Sequence, residues 1–180
     1  CLKSSVSYVD KKILLCNSNR TYKLVRKWTV VDHCAPDSLK IREQNQLITV
    51  MDTKAPIVTC TASIPNIPVK EHQCVADWTV LAPTRVSDCN LTTWTVDILL
   101  PDANGLFDVN GIYAKSSGTA QVVGNSPNFV IRNLPLGKSR VRYSVTDVCG
   151  NIGYCTTELT TIDNQPPTPV CDRNSIIAIG

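Results

Sequence analysis

The sequence lacks several features that would indicate a helical, membrane or nucleic-acid-binding protein. No segment of its 180 residues keeps a helical period of apolar residues. No apolar run approaches the roughly 20 residues that cross a bilayer, so we expect no membrane span. The formal net charge is only +3, which predicts no nucleic-acid partner. The hydrophobic share is 43%, which is typical of a globular chain.

Signatures of catalysis are equally scarce. The chain has two His, His33 and His72, and neither has the spacing of a metal-binding motif such as His-Glu-x-x-His. It contains no Gly-x-Ser-x-Gly, P-loop or dinucleotide fingerprint. A Cys nucleophile needs a base and an electropositive pocket, and disulfides explain the cysteines better. We therefore expect no enzyme and no resident cofactor.

Residues that favour β-strands are abundant. Val, Ile and Thr supply 52 residues, and these side chains are stiff at χ1 and pack well on a pleated sheet. Eleven Pro and eight Gly interrupt the chain at short intervals. The composition predicts an all-β fold.

The nine cysteines indicate an oxidising compartment. This density is unusual for a reducing environment and predicts a disulfide framework in a secreted or cell-surface protein. The odd number leaves one thiol free or paired outside the sequence. The chain also opens at Cys1 without a Met, so we expect a mature or excised piece of a longer protein. The cysteines are Cys1, Cys16, Cys34, Cys60, Cys74, Cys89, Cys149, Cys155 and Cys171.

Two sequence motifs occur twice, in the same order. Residues 28–34 and 143–149 share the pattern aromatic-x-Val-x-Asp-x-Cys. Residues 52–60 and 163–171 share Asp-x3-Pro-x3-Cys. The offsets, 115 and 111 residues, are close to the length of one β-sandwich domain. The pattern predicts a tandem repeat.

The second motif predicts the domain boundaries, because its Pro removes a ladder donor and stiffens the chain. Residues 1–52 form a partial β-sandwich that holds only the later strands. Residues 53–163 form a complete sandwich, and residues 164–180 form a linker and the first strand of a following or neighbouring domain. Because half a sandwich exposes its core and strand edges, we expect a partner for residues 1–52. The partner is either a covalent neighbour or the tail of another copy.

Several of these segments resemble one known family. Residues 26–34, 46–56 and 145–155, with Ser87-Asp88-Cys89, are similar to the HYR-like, immunoglobulin-type repeats of very large cell-surface proteins of the Bacteroidota. The chain departs from that pattern at Ala35-Pro36, which replaces Gly-Asn, and residues 100–140 have no counterpart. The resemblance implies tandem immunoglobulin-like β-sandwich domains in secreted or surface-attached adhesins, filaments or gliding machinery.

The repeat limits the disulfide pairings, although sequence alone leaves the connectivity open. Cys34 and Cys149 are equivalent, as are Cys1 and Cys89, which favours Cys1–Cys34 and Cys89–Cys149. First and last strands are often neighbours in such sandwiches, which favours Cys60–Cys155. Cys171 then lacks a partner within its own repeat, so we expect it to reach Cys16 across copies. Cys74 is left over.

Two further sites are weaker predictions. Asp102, Asn104, Asp108 and Asn110 place short oxygen ligands two residues apart beside Gly, which is compatible with calcium. Asn-Gly is also a strong turn signal, and two tight turns are the favoured interpretation. The triplet around Ser38, Asp-Ser-Leu, resembles the O-glycosylation site of secreted Bacteroidota proteins.

The sequence thus predicts a non-enzymatic, extracellular structural repeat with a mechanical role in an adhesin or filament. Its expected partners are neighbouring repeats or copies of itself in a homo-oligomer or filament. The alternative is an adhesin module that binds a glycan or a surface through the 100–140 insert. That alternative requires Asp102, Asn104, Asp108 and Tyr113 to surround one cleft.

Overall fold

The computed structural model describes residues 3–90, 92–108 and 110–167, and within them every regular element is a β-strand. The all-β prediction is confirmed. The strands in chain order are β1 (Ser4–Leu15), β2 (Ser18–Asp32), β3 (Ile41–Val50), β4 (Ile57–Thr59), β5 (Ser63–Pro68), β6 (Val75–Thr79), β7 (Arg85–Ser87), β8 (Thr92–Leu99), β9 (Ser116–Ser117), β10 (Ala120–Asn125), β11 (Asn128–Pro135), β12 (Gly137–Asp147) and β13 (Ile152–Ile162).

The first three strands form a sheet of their own in the order β1-β2-β3. Both pairings are antiparallel, and Trp28 of β2 lies opposite Tyr8 on one side and Gln44 on the other. The tight connection between β1 and β2 is possible because Cys16 and Asn17 adopt positive φ angles of 52° and 48°. Asn tolerates this left-handed conformation better than most residues.

The later strands form two four-stranded sheets and a short pair. One sheet has the order β6-β11-β10-β9 and the other β5-β13-β12-β8, while β4 pairs with β7. Strand β5 runs parallel to β13, and it carries Pro65 and Pro68. The four-stranded sheets form a β-sandwich. The fully buried core residues include Ile98, Ile131, Leu134, Val141 and Leu159.

The chain forms two compact units, and each is built from three stretches of sequence. The first comprises Cys1–Thr61, Ala82–Val96 and Arg142–Thr156, and it contains the β1-β2-β3 sheet and the β4–β7 pair. The second comprises Ala62–Leu81, Asp97–Val141 and Thr157–Gly180, and it contains the β6-β11-β10-β9 sheet. The predicted domain boundaries near 53–56 and 164–167 stay a prediction, although no strand covers residues 51–56.

Candidate functional site

The β1-β2-β3 sheet carries an aromatic and apolar face. Alternation along each strand places the even-numbered residues of all three strands on this face, which we call the even face. Tyr8 and Trp28 lie with ring centroids 5.3 Å apart, and the Arg26 guanidinium lies 4.0 Å from the Tyr8 centroid. Asp10 accepts two hydrogen bonds of 2.8 Å from Arg26. Such a face is typical of one half of a sandwich core.

The disulfides of the described residues brace the first unit. Cys60 and Cys155 are joined, with their Cα atoms 5.8 Å apart, and this is the pair that the sequence predicts. The bond links the chain just after β4 to the last strand, β13. Cys34 is also disulfide-bonded. Its predicted partner, Cys1, lies outside the described residues, as does Cys171.

The predicted pairing of Cys89 with Cys149 is not what the structure shows, because both are free thiols. The Cys89 thiol donates a hydrogen bond of 2.9 Å to a carboxylate oxygen of Asp52. The Cys149 thiol instead faces Thr21, with 3.6 Å between its sulfur and the hydroxyl oxygen. Each sulfur has a different neighbour, so the two are not positioned to bond.

Two other cysteines are free thiols among the described residues. Cys16, which the sequence paired with Cys171, hydrogen-bonds to the side chain of Cys149, and this contact first and burial second raise the pKa of its thiol to about 11. Cys74 is exposed. The equivalence of Cys34 and Cys149 did not extend to their bonding state.

Within the first unit, hydrogen bonds connect the start of β2 to the loop before β8, and the loop before β4 to the loop between β12 and β13. The Ser18 hydroxyl donates to the side-chain oxygen of Asn90, and the Arg20 guanidinium donates to the backbone carbonyl of Cys89. The Asn151 amide donates to the backbone carbonyl of Asp52 at 3.1 Å and to the Asp147 carboxylate at 2.8 Å. We call this set of contacts the junction cluster.

The aspartates of the repeated motifs share one local contact. Each carboxylate accepts a hydrogen bond from the backbone N–H two residues further on, which is an Asx turn. The N–H to carboxylate distances are 2.9 Å at Asp32, 3.1 Å at Asp52, 2.8 Å at Asp147 and 3.0 Å at Asp163. The repeated Asp therefore stabilises the turn that follows each strand.

Asp52 is a hydrogen-bond acceptor within the junction cluster. The hydrogen bond from the Cys89 thiol, followed by that from the Lys54 backbone N–H, holds the pKa of the Asp52 carboxyl below its usual value. Asp52, Asp88 and Cys89 also present ligand atoms within 4.8 Å of one another. Sequence analysis missed this grouping because Asp52 and Cys89 lie far apart along the chain.

The predicted calcium ligands are used for turns. Asp102 accepts hydrogen bonds from the backbone N–H groups of Asn104 and Leu106, at 2.9 and 2.8 Å. Asp108 accepts one from the Asn110 N–H at 2.9 Å. This is the geometry of the favoured turn interpretation, and calcium at these residues stays a prediction.

A shallow groove of about 670 Å³ lies beside the 100–140 insert, in the second unit. Its lining includes two of the four residues that the ligand-binding interpretation requires, Asp102 and Asp108. Phe107 also lines it, and the Arg140 guanidinium lies 4.2 Å from the centroid of the Phe107 ring.

Ser38 lies exposed in the loop between β2 and β3, where the Leu39 N–H donates to the Pro36 carbonyl at 2.8 Å. Its glycosylation stays a prediction. Among the residues that the structure describes, no helix has the length and apolarity to cross a membrane.

No family model matches the sequence, and no curated protein matches it. Among solved structures, the chain is similar to the human Desmocollin-1 ectodomain, with 15% sequence identity and a TM-score of 0.36. The alignment covers 81% of this chain and 28% of that chain, so this chain spans less than a third of its length.

Proposed function

We propose that this chain is an extracellular structural repeat of a cell-surface adhesin or filament, of the HYR-like immunoglobulin type, with a mechanical and non-enzymatic role. Its disulfides favour a secreted or cell-surface location, because such bonds persist in oxidising compartments. Its partners in this role are neighbouring repeats or further copies of itself.

The Cys60–Cys155 disulfide is the observation that carries the proposal. Cys60 follows β4, the first strand after Pro56, and Cys155 lies within the last strand, β13. Tension applied at residues 56 and 163 therefore passes from Cys60 to Cys155 through the covalent bond. The residues between these two cysteines, which form β5 to β12, are shielded from the load.

Single-molecule pulling tests the proposal. A tandem array of the 180-residue chain is stretched in oxidising buffer, beside an array of the Cys60→Ala, Cys155→Ala double variant. The disulfide spans a sequence separation of 95 residues. The double variant should therefore lengthen by an extra roughly 330 Å per repeat on unfolding, because an extended residue spans up to about 3.5 Å.

A Cys74→Ala array is the matched control, because Cys74 is exposed and free. Its extension per repeat should equal that of the unmodified chain. Equal extension of the unmodified and the double-variant arrays would overturn the inference that the disulfide carries the tension.

The second candidate function is ligand binding by the 100–140 insert. The groove that combines the Phe107 ring with Asp102 and Asp108 favours it, because sugars pack on aromatic rings and hydrogen-bond to carboxylates. A glycan array probed with the intact chain and with Phe107→Ala tests it. If the intact chain binds a glycan and Phe107→Ala abolishes that binding, the adhesin-module function is supported. Equal signals from both proteins would contradict it.

A further inference from the structure

The even face of the β1-β2-β3 sheet is exposed where a sandwich would bury it. In β1, Val6 and Tyr8 keep 61% and 53% of their accessible surface. In β3, Val50 keeps 38%. These exposed apolar side chains share the even face with polar ones such as Gln44 and Gln46. Exposed apolar surface that is rimmed by polar residues marks an interaction site.

The second occurrence of the repeated motifs, within the same chain, shows the burial of these positions when other strands cover them. Val145 is the counterpart of Val30, and the two are 0% and 37% exposed. Thr161 is the counterpart of Val50 and is 2% exposed. The same motif positions are core residues in one copy and surface residues in the other.

The edge of β3 differs in the same way from the edge of its counterpart, β13. Among the described residues, β3 pairs with β2 alone. Strand β13 carries an additional parallel neighbour, β5, which places Ile64 opposite Leu159 and Ile67 opposite Thr161. The counterparts of Leu159 and Thr161 in β3 are Ile48 and Val50.

The chain contains a second segment with the features of β5. Strand β5 follows the Asp-x3-Pro-x3-Cys motif of residues 52–60, and the repeat of that motif at residues 163–171 leads into residues 172–180. Ile176 and Ile179 have the same spacing of three residues as Ile64 and Ile67, and they lie one residue further from the Cys of the motif than Ile64 and Ile67 do. Residues 168–180 lie outside the described residues.

We infer that residues 171–180 of a second copy of this chain add to the free edge of β3 as a parallel strand, with Ile176 opposite Ile48 and Ile179 opposite Val50. This is strand addition to an exposed sheet edge, in which backbone hydrogen bonds supply affinity and alternate side chains supply register. The inference rests on the proposed function and specifies its partner.

The order of pairing favours a second copy over the chain's own tail. Strand β5 follows β3 in sequence, yet it pairs with β13, the last strand of the repeat that it begins. By the same rule, residues 171–180 pair with the last strand of the repeat that follows them. In a second copy of the chain, β3 is such a strand. The resulting contact is head to tail and builds an open-ended row.

The test uses a labelled peptide of residues 168–180 and a chain that ends at Pro167, with binding followed by fluorescence anisotropy. Circular dichroism first shows that the shortened chain keeps its strand content. We expect saturable 1:1 binding, and at least a tenfold loss of affinity for a peptide with Ile176→Asp and Ile179→Asp.

A matched pair of variants in the shortened chain tests the face and the edge. Val50→Asp on the even face should weaken peptide binding at least tenfold. Leu47→Asp, on the opposite face of the same strand, should change it less than threefold. Equal effects of the two substitutions, or equal binding of the two peptides, would overturn the inference.

The full chain identifies the occupant without any truncation. We expect oligomers that grow with concentration in sedimentation velocity, and a monomer when Ile176→Asp and Ile179→Asp are introduced. A full chain that stays monomeric at every concentration and does not bind the peptide would indicate that its own tail pairs with β3. That result would overturn the assignment of a second copy as the partner. The pulling experiment does not depend on this strand, so it can succeed while the strand addition fails.

Discussion

At the scale of single residues, aspartate performs the same task in the repeated motifs and in the 100–140 insert. The Asp of each repeated motif accepts the backbone N–H two residues on, and Asp102 and Asp108 do so within the insert. A carboxylate that is already hydrogen-bonded to its own turn has fewer lone pairs left for a metal ion. The spacing Asp-x-Cys or Asp-x-Asn is therefore a better predictor of an Asx turn than of a cation site.

Protonation of Asp52 should lower the stability of the folded state at acidic pH. Hydrogen bonds in the folded state lower its pKa, so its contribution is present above the usual carboxyl pKa of 3.8 and disappears as the pH falls through the lowered value. We expect the melting temperature to fall more steeply between pH 5 and about pH 2 in the unmodified chain than in Asp52→Asn. Scanning calorimetry across this range measures the difference.

The control for this prediction is Cys89→Ala, which removes one of the three hydrogen bonds to the Asp52 carboxylate, those from Cys89, Lys54 and Asn90. Its acid dependence should lie between those of the other two proteins. Identical pH profiles for all three would show that Asp52 does not couple folding to protonation.

At the scale of the secondary-structure elements, two glycines near the start of β13 have different reasons to be glycine. A Cβ at Gly153 would overlap the carbonyl oxygen of Pro56, which places the chain before β4 directly against β13. Gly150 has open space around it but a φ of +89°, which lies in the left-handed region.

Substituting alanine at each glycine separates the two effects. We expect Gly153→Ala to lower the free energy of unfolding by about 3 kcal/mol, because backbone atoms must move to relieve the overlap. Gly150→Ala should cost about 1 kcal/mol, the strain of a left-handed non-glycine residue. Urea denaturation measures both values. A smaller loss at Gly153 than at Gly150 would contradict the close approach to Pro56.

Much of the element pattern could be predicted from the sequence, and the disulfides only in part. Alternating β-branched residues predict strands because the side-chain period of a strand is two. Cys60 and Cys155 could be paired because first and last strands of a sandwich are often neighbours. Cys89 could not be assigned, since its contact with Asp52 depends on how the loop after β3 meets the loop before β8. That approach leaves no periodic signal in the sequence.

At the scale of the whole molecule, we expect one covalent bond to supply a large share of the stability. A disulfide that closes 95 residues stabilises a protein by about 4–5 kcal/mol in the chain-entropy model. Typical domains have only about 5–15 kcal/mol in total. The folded state of this module therefore depends strongly on the redox environment.

Equilibrium unfolding of the Cys60→Ala, Cys155→Ala double variant tests this dependence. We expect a loss of about 4 kcal/mol in the free energy of unfolding in guanidinium chloride. Cys74→Ala, at an exposed free thiol, should change it by less than about 0.5 kcal/mol. A double variant as stable as the unmodified chain would mean that packing alone holds the sandwich together.

The prolines of β5 affect whether neighbouring modules can associate edge to edge when they are crowded together. Strand β5 is the outermost strand of its sheet, and Pro65 and Pro68 deprive it of two backbone donors. An edge with gaps in its donor row is a poor template for amyloid-like stacking. Crowded side by side on a surface, these modules would resist lateral fusion into fibrils along that border.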